Sequence, residues 1–197
     1  REFKKSDTPI LVQTAKDSFN NYGHYFKNNE LDKERCLEVY EDWAFNTCTK
    51  KEVADKIIVA TTANEEDDII EKIGTAWGYE VYRGSENDVL DRFYKAVQNI
   101  KPTWVVRVTS DCPLIDPLLV DKVIEITQAE NKDYGSNVID ETFPDGQDVE
   151  VFKFSALEKA WNEATKLSER EHVTPYIINH SDLKFGNLFS AVSYKNN

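Results

Sequence analysis

Apolar runs alternate with amphipathic stretches along most of the chain. Lys56–Thr62 (KIIVATT) is a continuous apolar run, typical of a strand buried on both faces of a parallel sheet, and Trp104–Thr109 (WVVRVT) has the same character. Shorter strands are predicted at Ile10–Val12 and Glu80–Tyr82, while Gln147–Phe154 alternates as a half-buried strand.

The stretches between these strands carry apolar residues at helical spacing. They predict helices over residues 31–45, 65–77, 87–99, 117–130 and 155–166. Four acidic residues open the second of these, where they suit the positive end of the helix dipole. Ser155 is the predicted N-cap of the last one.

The order of elements predicts an α/β fold, with a mostly parallel sheet flanked by helices. Ligands of such sheets bind at the carboxyl ends of the strands. The loops after Val12, Thr62, Tyr82 and Thr109 are therefore expected on one rim. No internal repeat or Pro/Gly-rich linker divides the sequence, so we expect a single domain over residues 1–197.

Charge and composition narrow the function classes. The net charge of −12 argues against a sequence-independent grip on nucleic acid, which needs Lys and Arg at the phosphates. No apolar run is long enough for a membrane span. The three cysteines, Cys36, Cys48 and Cys112, lack metal-ligand spacing and indicate reduced thiols. We expect a cytoplasmic protein.

The strongest local pattern is the segment Arg107–Asp116 (RVTSDCPLID). A buried strand delivers Asp111 to the binding rim, and Pro113 ends the strand because it removes a ladder donor. A carboxylate there can hold a divalent cation and so bridge to phosphates. Asp111 can equally be a turn carboxylate that caps local backbone amides, and the residues alone do not separate the two.

A second segment, Thr142–Phe152, contains the turn Pro144-Asp145-Gly146 followed by Asp148 and Glu150. Side chains alternate along a strand, so these two carboxylates are predicted on one face of the next strand. Such a pair suits sugar hydroxyls or a metal. A hairpin with a polar outer face is the alternative.

Two further segments hold polar candidates. Tyr82–Arg92 places Arg83 at the rim as a phosphate or base contact, with Gly84 allowing close approach of a ligand and Asp88 suited to a first helical turn. Leu167–Tyr176 offers Glu171 and His172 for substrate binding, although surface salt bridges at a helix start explain these residues better on their own.

Taken together, five segments resemble the cytidylyltransferase family in order and spacing: KIIVATTANEEDD, YRGSENDVLDRF, VVRVTSDCPLIDP, SNVIDETFPDGQDVEVF and SEREHVTPYI. The resemblance covers residues 56–178. That family includes the acylneuraminate and 3-deoxy-octulosonate cytidylyltransferases, and the chain looks most similar to the spore coat polysaccharide biosynthesis branch. The resemblance implies a Rossmann-like nucleotide-diphospho-sugar transferase fold. It also implies transfer of CMP from CTP to a sugar or sugar acid, with Mg²⁺ as cofactor.

The resemblance also implies roles for individual residues. Asp111 would be the catalytic carboxylate that holds the metal near the phosphates. The nucleotide side would comprise Gln13, Lys16, Ser18, Gly23, Arg83, Ser85 and Arg107. The sugar side would comprise Asn137, Asp145, Asp148, Glu150, Glu171 and His172. The partners would be CTP and the sugar, with no nucleic acid and no membrane span, and a homodimer is left open.

Two departures bear on activity. The family's triphosphate loop has the form Q-A-R-x-x-S-x-R-x-P-G-K, of which Gln13, Ser18 and Gly23 match. Its arginines, proline and lysine are replaced here: the residues in their places are Ala15, Asn20, Tyr22 and His24. Each missing charge-assisted contact would weaken triphosphate binding by roughly 1.5–3 kcal/mol unless Lys16 and Lys27 compensate.

The second departure is the absence of the family's W-T-x-D-x-P-E-D-L stretch, so we expect the domain to lack the family's C-terminal end. A cytidylyltransferase activity with a degenerate triphosphate loop therefore has two rivals. One is a catalytically degenerate homologue that binds a sugar nucleotide or a partner without transfer. The other is a metal-dependent glycosyltransferase on the same fold.

Overall fold

A computed structural model describes residues 55–112, 115–140, 142–180 and 182–190. The strands are β1 (Ile58–Thr62), β2 (Glu80–Gly84), β3 (Trp104–Arg107), β4 (Tyr134–Ser136), β5 (Glu150–Lys153) and β6 (Phe185–Asn187). The helices are α1 (Asp68–Ala76), α2 (Val89–Val97), α3 (Pro117–Ala129), α4 (Phe154–Glu163), α5 (Leu167–His172) and α6 (Pro175–Asn179), with a 3₁₀ turn at Glu65–Asp67 before α1. The predicted strand at residues 10–12 and helix at 31–45 lie outside the described residues.

The strands form two sheets. β1 and β2 pair in parallel, and the second sheet has the order β3-β5-β4-β6. In that sheet β5 runs antiparallel to both of its neighbours, while β4 and β6 are parallel. The α/β class is confirmed, and the second sheet is mixed because β5 pairs antiparallel with both β3 and β4.

Strand register brings three strand ends together. Glu150, the first residue of β5, lies opposite Arg107 at the end of β3 and opposite Ser136 at the end of β4. In the smaller sheet, Thr62 at the end of β1 lies opposite Gly84 at the end of β2. Helix α2 packs against β1 and β2 and also against α4 and α5, so it connects the smaller sheet to the rest of the molecule.

The interior explains why β5 differs from its prediction. Phe152 belongs to an apolar cluster with Leu157 of α4, whereas Val151 packs in a second cluster with Val123 of α3. The strand is therefore buried on both faces, and the expected half-buried strand was wrong because helices cover both sides. It is also shorter than predicted, so that Asp148 lies in the loop before it.

A side-chain N-cap sets the start of two helices, and packing of a buried residue sets the start of a third. Asp88 caps α2 by accepting from the Asp91 amide (2.9 Å), and Asp116 caps α3 by accepting from the Leu118 amide (2.9 Å). The predicted Ser155 cap is wrong, because α4 begins one residue earlier at the buried Phe154 and has no side-chain cap. Among the helices of the described ranges, none has the length and apolar character that a bilayer crossing requires.

Candidate functional site

The turn after β3 exposes Asp111. The Thr109 hydroxyl donates to the Asp111 carboxylate, and the Cys112 amide donates to the Thr109 carbonyl (3.1 Å). These bonds close the turn at the carboxyl end of β3 and leave Asp111 exposed to solvent. The position is compatible with both interpretations of Asp111, a turn residue and a metal ligand, and its catalytic role stays a prediction.

The buried thiol of Cys112 joins this turn to the loop before β5. Burial raises the pKa of Cys112, and the nearby carboxylates of Asp148 and Asp111 raise it further, although the Thr109 hydroxyl and the Asp148 backbone bond to the thiol. The side chain of Gln147 also accepts from the Asp116 amide (2.9 Å). Two of the segments singled out from the sequence therefore meet, with Asp111 and Asp148 close to one sulfur atom.

Asn137 fixes the loop that carries Asp148. Its side-chain amide donates to the Gln147 carbonyl (2.7 Å), and its side-chain carbonyl accepts from the Val149 amide (2.9 Å). The side chain is only 2% exposed. Asn137 thus holds the backbone on both sides of Asp148, while Asp145 lies exposed at the tip of the same loop.

Glu150 is a buried carboxylate beneath the strand ends. It is 5% exposed, it accepts from the Tyr134 hydroxyl (2.8 Å) and the Thr174 hydroxyl (2.6 Å), and it forms an ion pair with the Arg107 guanidinium. Burial, reinforced by the charge of Glu150, raises the pKa of Tyr134 strongly. Glu150 therefore orients Arg107, and its predicted contact with the sugar stays a prediction.

Arg83 lies in β2 and is held by α1. It donates to Asp68 (2.6 Å), to Glu71 (2.8 Å) and to the carbonyls of Thr62 (3.0 Å) and Asn64 (2.6 Å). The bond to Asp68, followed by that to Glu71, raises the pKa of Arg83. The guanidinium thereby ties β2 to the start of α1. Its role toward a nucleotide stays a prediction.

The remaining candidates are distributed around this centre. The Ser85 hydroxyl accepts from the Asp88 amide (3.0 Å), so Ser85 helps to start α2. Glu171 and His172 lie exposed on α5. Gln13, Lys16, Ser18 and Gly23 lie outside the described residues. Across the described ranges, no group of three His, Cys, Asp or Glu side chains is arranged to hold a metal ion.

Sequence reasoning missed four residues that build the site. Arg170 donates three times to Asp88, at 2.7 to 3.1 Å, and so connects two of the segments quoted above. Thr174 and Tyr134 bind Glu150, and Arg92 lies near Arg107. The sequence offered one indication of three of them: their positions inside the family-like segments. These three are Arg92, Arg170 and Thr174. Tyr134 had none.

Comparison with known proteins decides the family. A sequence profile described as cytidylyltransferase matches residues 32–194. The chain belongs to the cytidylyltransferase family. This confirms the resemblance drawn from the five segments.

Two curated relatives of the chain match over similar lengths. An uncharacterised protein of Methanocaldococcus jannaschii is 46% identical over 136 residues, which are 68% of this chain and 54% of that protein. The spore coat polysaccharide biosynthesis protein SpsF of Bacillus subtilis is 34% identical over 135 residues, which are 66% of this chain and 53% of that protein. The match thus spans about half the length of these curated relatives.

A solved structure supports the fold. The cytidylyltransferase from Leptospira borgpetersenii superposes with a TM-score of 0.65 at 33% sequence identity, covering 70% of this chain and 59% of that one. The nucleotide-diphospho-sugar transferase fold expected from the resemblance is therefore confirmed.

Proposed function

We propose that this cytidylyltransferase transfers CMP from CTP to a sugar or sugar acid for surface polysaccharide biosynthesis. The observation that carries the proposal is that Asp111 and Asp148 meet at the Cys112 thiol beyond the end of β3, the strand whose last residue, Arg107, is held by Glu150. The similarity to a spore coat polysaccharide biosynthesis protein supports the choice of pathway class.

The reaction joins a sugar hydroxyl to the α-phosphorus of CTP. A new P–O bond forms to the sugar oxygen, the bond to pyrophosphate breaks, and the hydroxyl proton is lost to solvent. Catalysis of this kind depends on positioning and on neutralising charge more than on covalent chemistry. The arrangement supplies both kinds of group, with an arginine held by a buried carboxylate and carboxylates on an anchored loop.

Asp111 fits the predicted Mg²⁺. Its exposed carboxylate stands at a strand end, and magnesium in nucleotide sites is held by one or two carboxylates together with substrate phosphates. The ion would neutralise the charge that develops on the phosphates. Asp148 and Asp145 would accept from sugar hydroxyls, because carboxylates are strong acceptors and both lie on the loop facing this turn.

The experiment is a pyrophosphate-release assay with CTP, Mg²⁺ and a panel of sugars and sugar acids. We expect release with at least one sugar, and a loss of at least about 100-fold for Asp111→Asn, as for other groups that stabilise transition-state charge. Asp121→Asn, an exposed carboxylate on α3, is the matched control and should keep full activity. Absence of metal-dependent CTP binding by the full-length wild-type protein would refute the proposal.

The altered triphosphate loop keeps one rival in view. A degenerate homologue would bind CTP or a sugar nucleotide in calorimetry and release no pyrophosphate with any sugar. Binding without turnover would therefore favour that rival.

A further inference from the structure

Arg92 is a partly buried arginine on α2 that forms no ion pair with a carboxylate of the described residues. Its Nη1 donates to the Ser85 carbonyl (2.8 Å), and its Nε is buried with no hydrogen-bond partner among the described residues. The stem lies against the end of β2, where a Cβ on Gly84 would stand 3.1 Å from the Arg92 Cγ. The glycine therefore lets this side chain approach the rim of the smaller sheet.

Arg107 is a second arginine beside helix α2. Its Nη1 pairs with Glu150, while its Nε is likewise buried and lacks a partner within the described residues. The guanidinium lies 5.5 Å from the ring centroid of Phe93, the residue that follows Arg92 on α2. Helix α2 thus contributes one arginine and carries the aromatic ring over which the other is placed.

The two positive charges act on each other. Burial lowers the pKa of Arg92; the charge of Asp67 raises it, the charge of Arg107 lowers it again, and the charge of Glu86 has a smaller raising effect. A buried arginine usually donates its hydrogen bonds to carboxylate or phosphate oxygens. The two buried Nε donors, which have no acceptor among the described residues, therefore destabilise the free protein.

We propose that Arg92 and Arg107 together bind an oxyanion of a substrate, either a nucleotide phosphate or a sugar carboxylate. The guanidinium fork presents parallel N–H donors that match such an oxyanion, and the two buried Nε donors that lack a partner among the described residues are available to complete it. The protein carries a net charge of −12, so an anion needs a local positive site of this kind. The proposal rests on the proposed function and adds Arg92 to its binding residues.

Calorimetric titration of the full-length protein tests this site, with pyrophosphate, CTP, cytidine and glucuronate as separate probes. Arg92→Met keeps the stem on Gly84 and removes the guanidinium. If phosphate is the ligand, the variant should bind pyrophosphate and CTP about 10- to 100-fold more weakly, and cytidine unchanged. If a carboxylate is the ligand, the loss should fall on glucuronate instead. Lys122→Met, an exposed lysine on α3, controls for net charge.

Thermal unfolding separates a binding role from a structural one. An arginine with an unsatisfied buried Nε contributes little to the free fold, so Arg92→Met should unfold at the same temperature as the wild type or higher. Unchanged affinity for every anion, or a lower unfolding temperature with intact binding, overturns the proposal.

The two proposals fail in different ways. Pyrophosphate binding through Arg92 without any transfer reaction would refute the proposed function and leave the anion site standing. Normal CMP-sugar synthesis by wild type, with anion affinities unchanged in Arg92→Met, would refute the anion site alone.

Discussion

Arg83 and Arg107 both stand near the carboxyl ends of strands, and the molecule holds them in opposite ways. Arg83 donates to two carboxylates and two carbonyls, so its donors are matched within the fold. Arg107 has one carboxylate, a buried Nε without an acceptor among the described residues, and Arg92 as a neighbour with the same deficit. An arginine whose nitrogens are all hydrogen-bonded within the fold, such as Arg83, joins secondary-structure elements. Arginines with a donor that the described residues leave unpaired, such as Arg107 and Arg92, can bind a ligand.

The difference arises from the elements around each arginine. The acidic start of α1 supplies Asp68 and Glu71 to Arg83. By contrast, α2 faces Arg107 with Phe93 and Arg92, and the only carboxylate that the described residues pair with Arg107 comes from β5. Four predictions test this contrast, beginning with the support of Arg107.

Glu150→Leu should have the largest effect on stability. The substitution leaves the half-buried Arg107 without its counter-charge and removes the acceptor of the Tyr134 and Thr174 hydroxyls. Breaking one side of a buried ion pair costs about 3–5 kcal/mol. Urea unfolding measures the loss. The double variant Arg107→Met/Glu150→Leu is the control and should recover part of it, because neither charge then remains; equal loss in both variants would contradict the pairing.

Glu150 also marks the limit of sequence reasoning. Its polar side chain in an alternating run indicated a half-exposed strand, yet its partners Arg107, Tyr134 and Thr174 stand 43, 16 and 24 residues away. Pairing over such distances leaves no local pattern. The strands at Ile58–Thr62 and Trp104–Arg107 were predictable because continuous apolar runs act locally. Asp88 was expected inside the first helical turn and instead caps the helix that begins at Val89.

The same reasoning separates the site residues. Five segments in family order predicted Asp111, Asp148 and Arg107 as site residues; the structure brings Asp111 and Asp148 together at Cys112 and pairs Arg107 with Glu150 of β5. Arg92 stood inside a quoted segment without a role, because its missing acceptor is a property of packing around α2 and cannot be read from its neighbours in sequence.

Arg83→Met tests the other side of the comparison. The substitution removes the bonds that join β2 to α1 and leaves Asp68 and Glu71 close together without their shared cation. We expect thermal unfolding roughly 2–4 °C lower than in the wild type. Lys72→Met, an exposed lysine of the same helix, should leave the temperature unchanged. No shift in the arginine variant would mean that Arg83 is held for a ligand after all.

Acidification should weaken the same region through Asp67. Burial alone would raise the pKa of Asp67, but hydrogen bonds from the Thr61 and Thr62 hydroxyls and the Thr62 amide lower it overall. The folded pKa is therefore below the unfolded one. The contribution to stability is present above about pH 4 and is lost as the pH falls through the folded value.

Asp67→Asn isolates this contribution. At pH 7 the variant should be less stable by about 1 kcal/mol, since the amide accepts more weakly and the site is half-exposed. The difference from wild type should shrink as the pH falls below about 4, which urea titrations at several pH values would record. A constant difference in the free energy of unfolding across that range would contradict the prediction, because it would mean that the contribution of Asp67 does not depend on its ionisation.

The smallest effect is the repulsion between Arg92 and Arg107, which a double-mutant cycle measures. Arg92→Met and Arg107→Met each remove the same repulsion, so the double variant should be less stable than the two single changes predict by addition. We expect a coupling of about 0.5–1 kcal/mol at low salt, typical of neighbouring charged residues. The cycle compares the effect of Arg92→Met in the wild type with its effect in the Arg107→Met variant. The cost of leaving Glu150 without its partner belongs to Arg107→Met and therefore cancels. Pyrophosphate in the buffer should reduce the coupling, since an anion shared by both guanidiniums replaces repulsion with attraction. No coupling at low salt would place the two arginines too far apart to hold one anion, and the contrast with Arg83 would then rest on Arg107 alone.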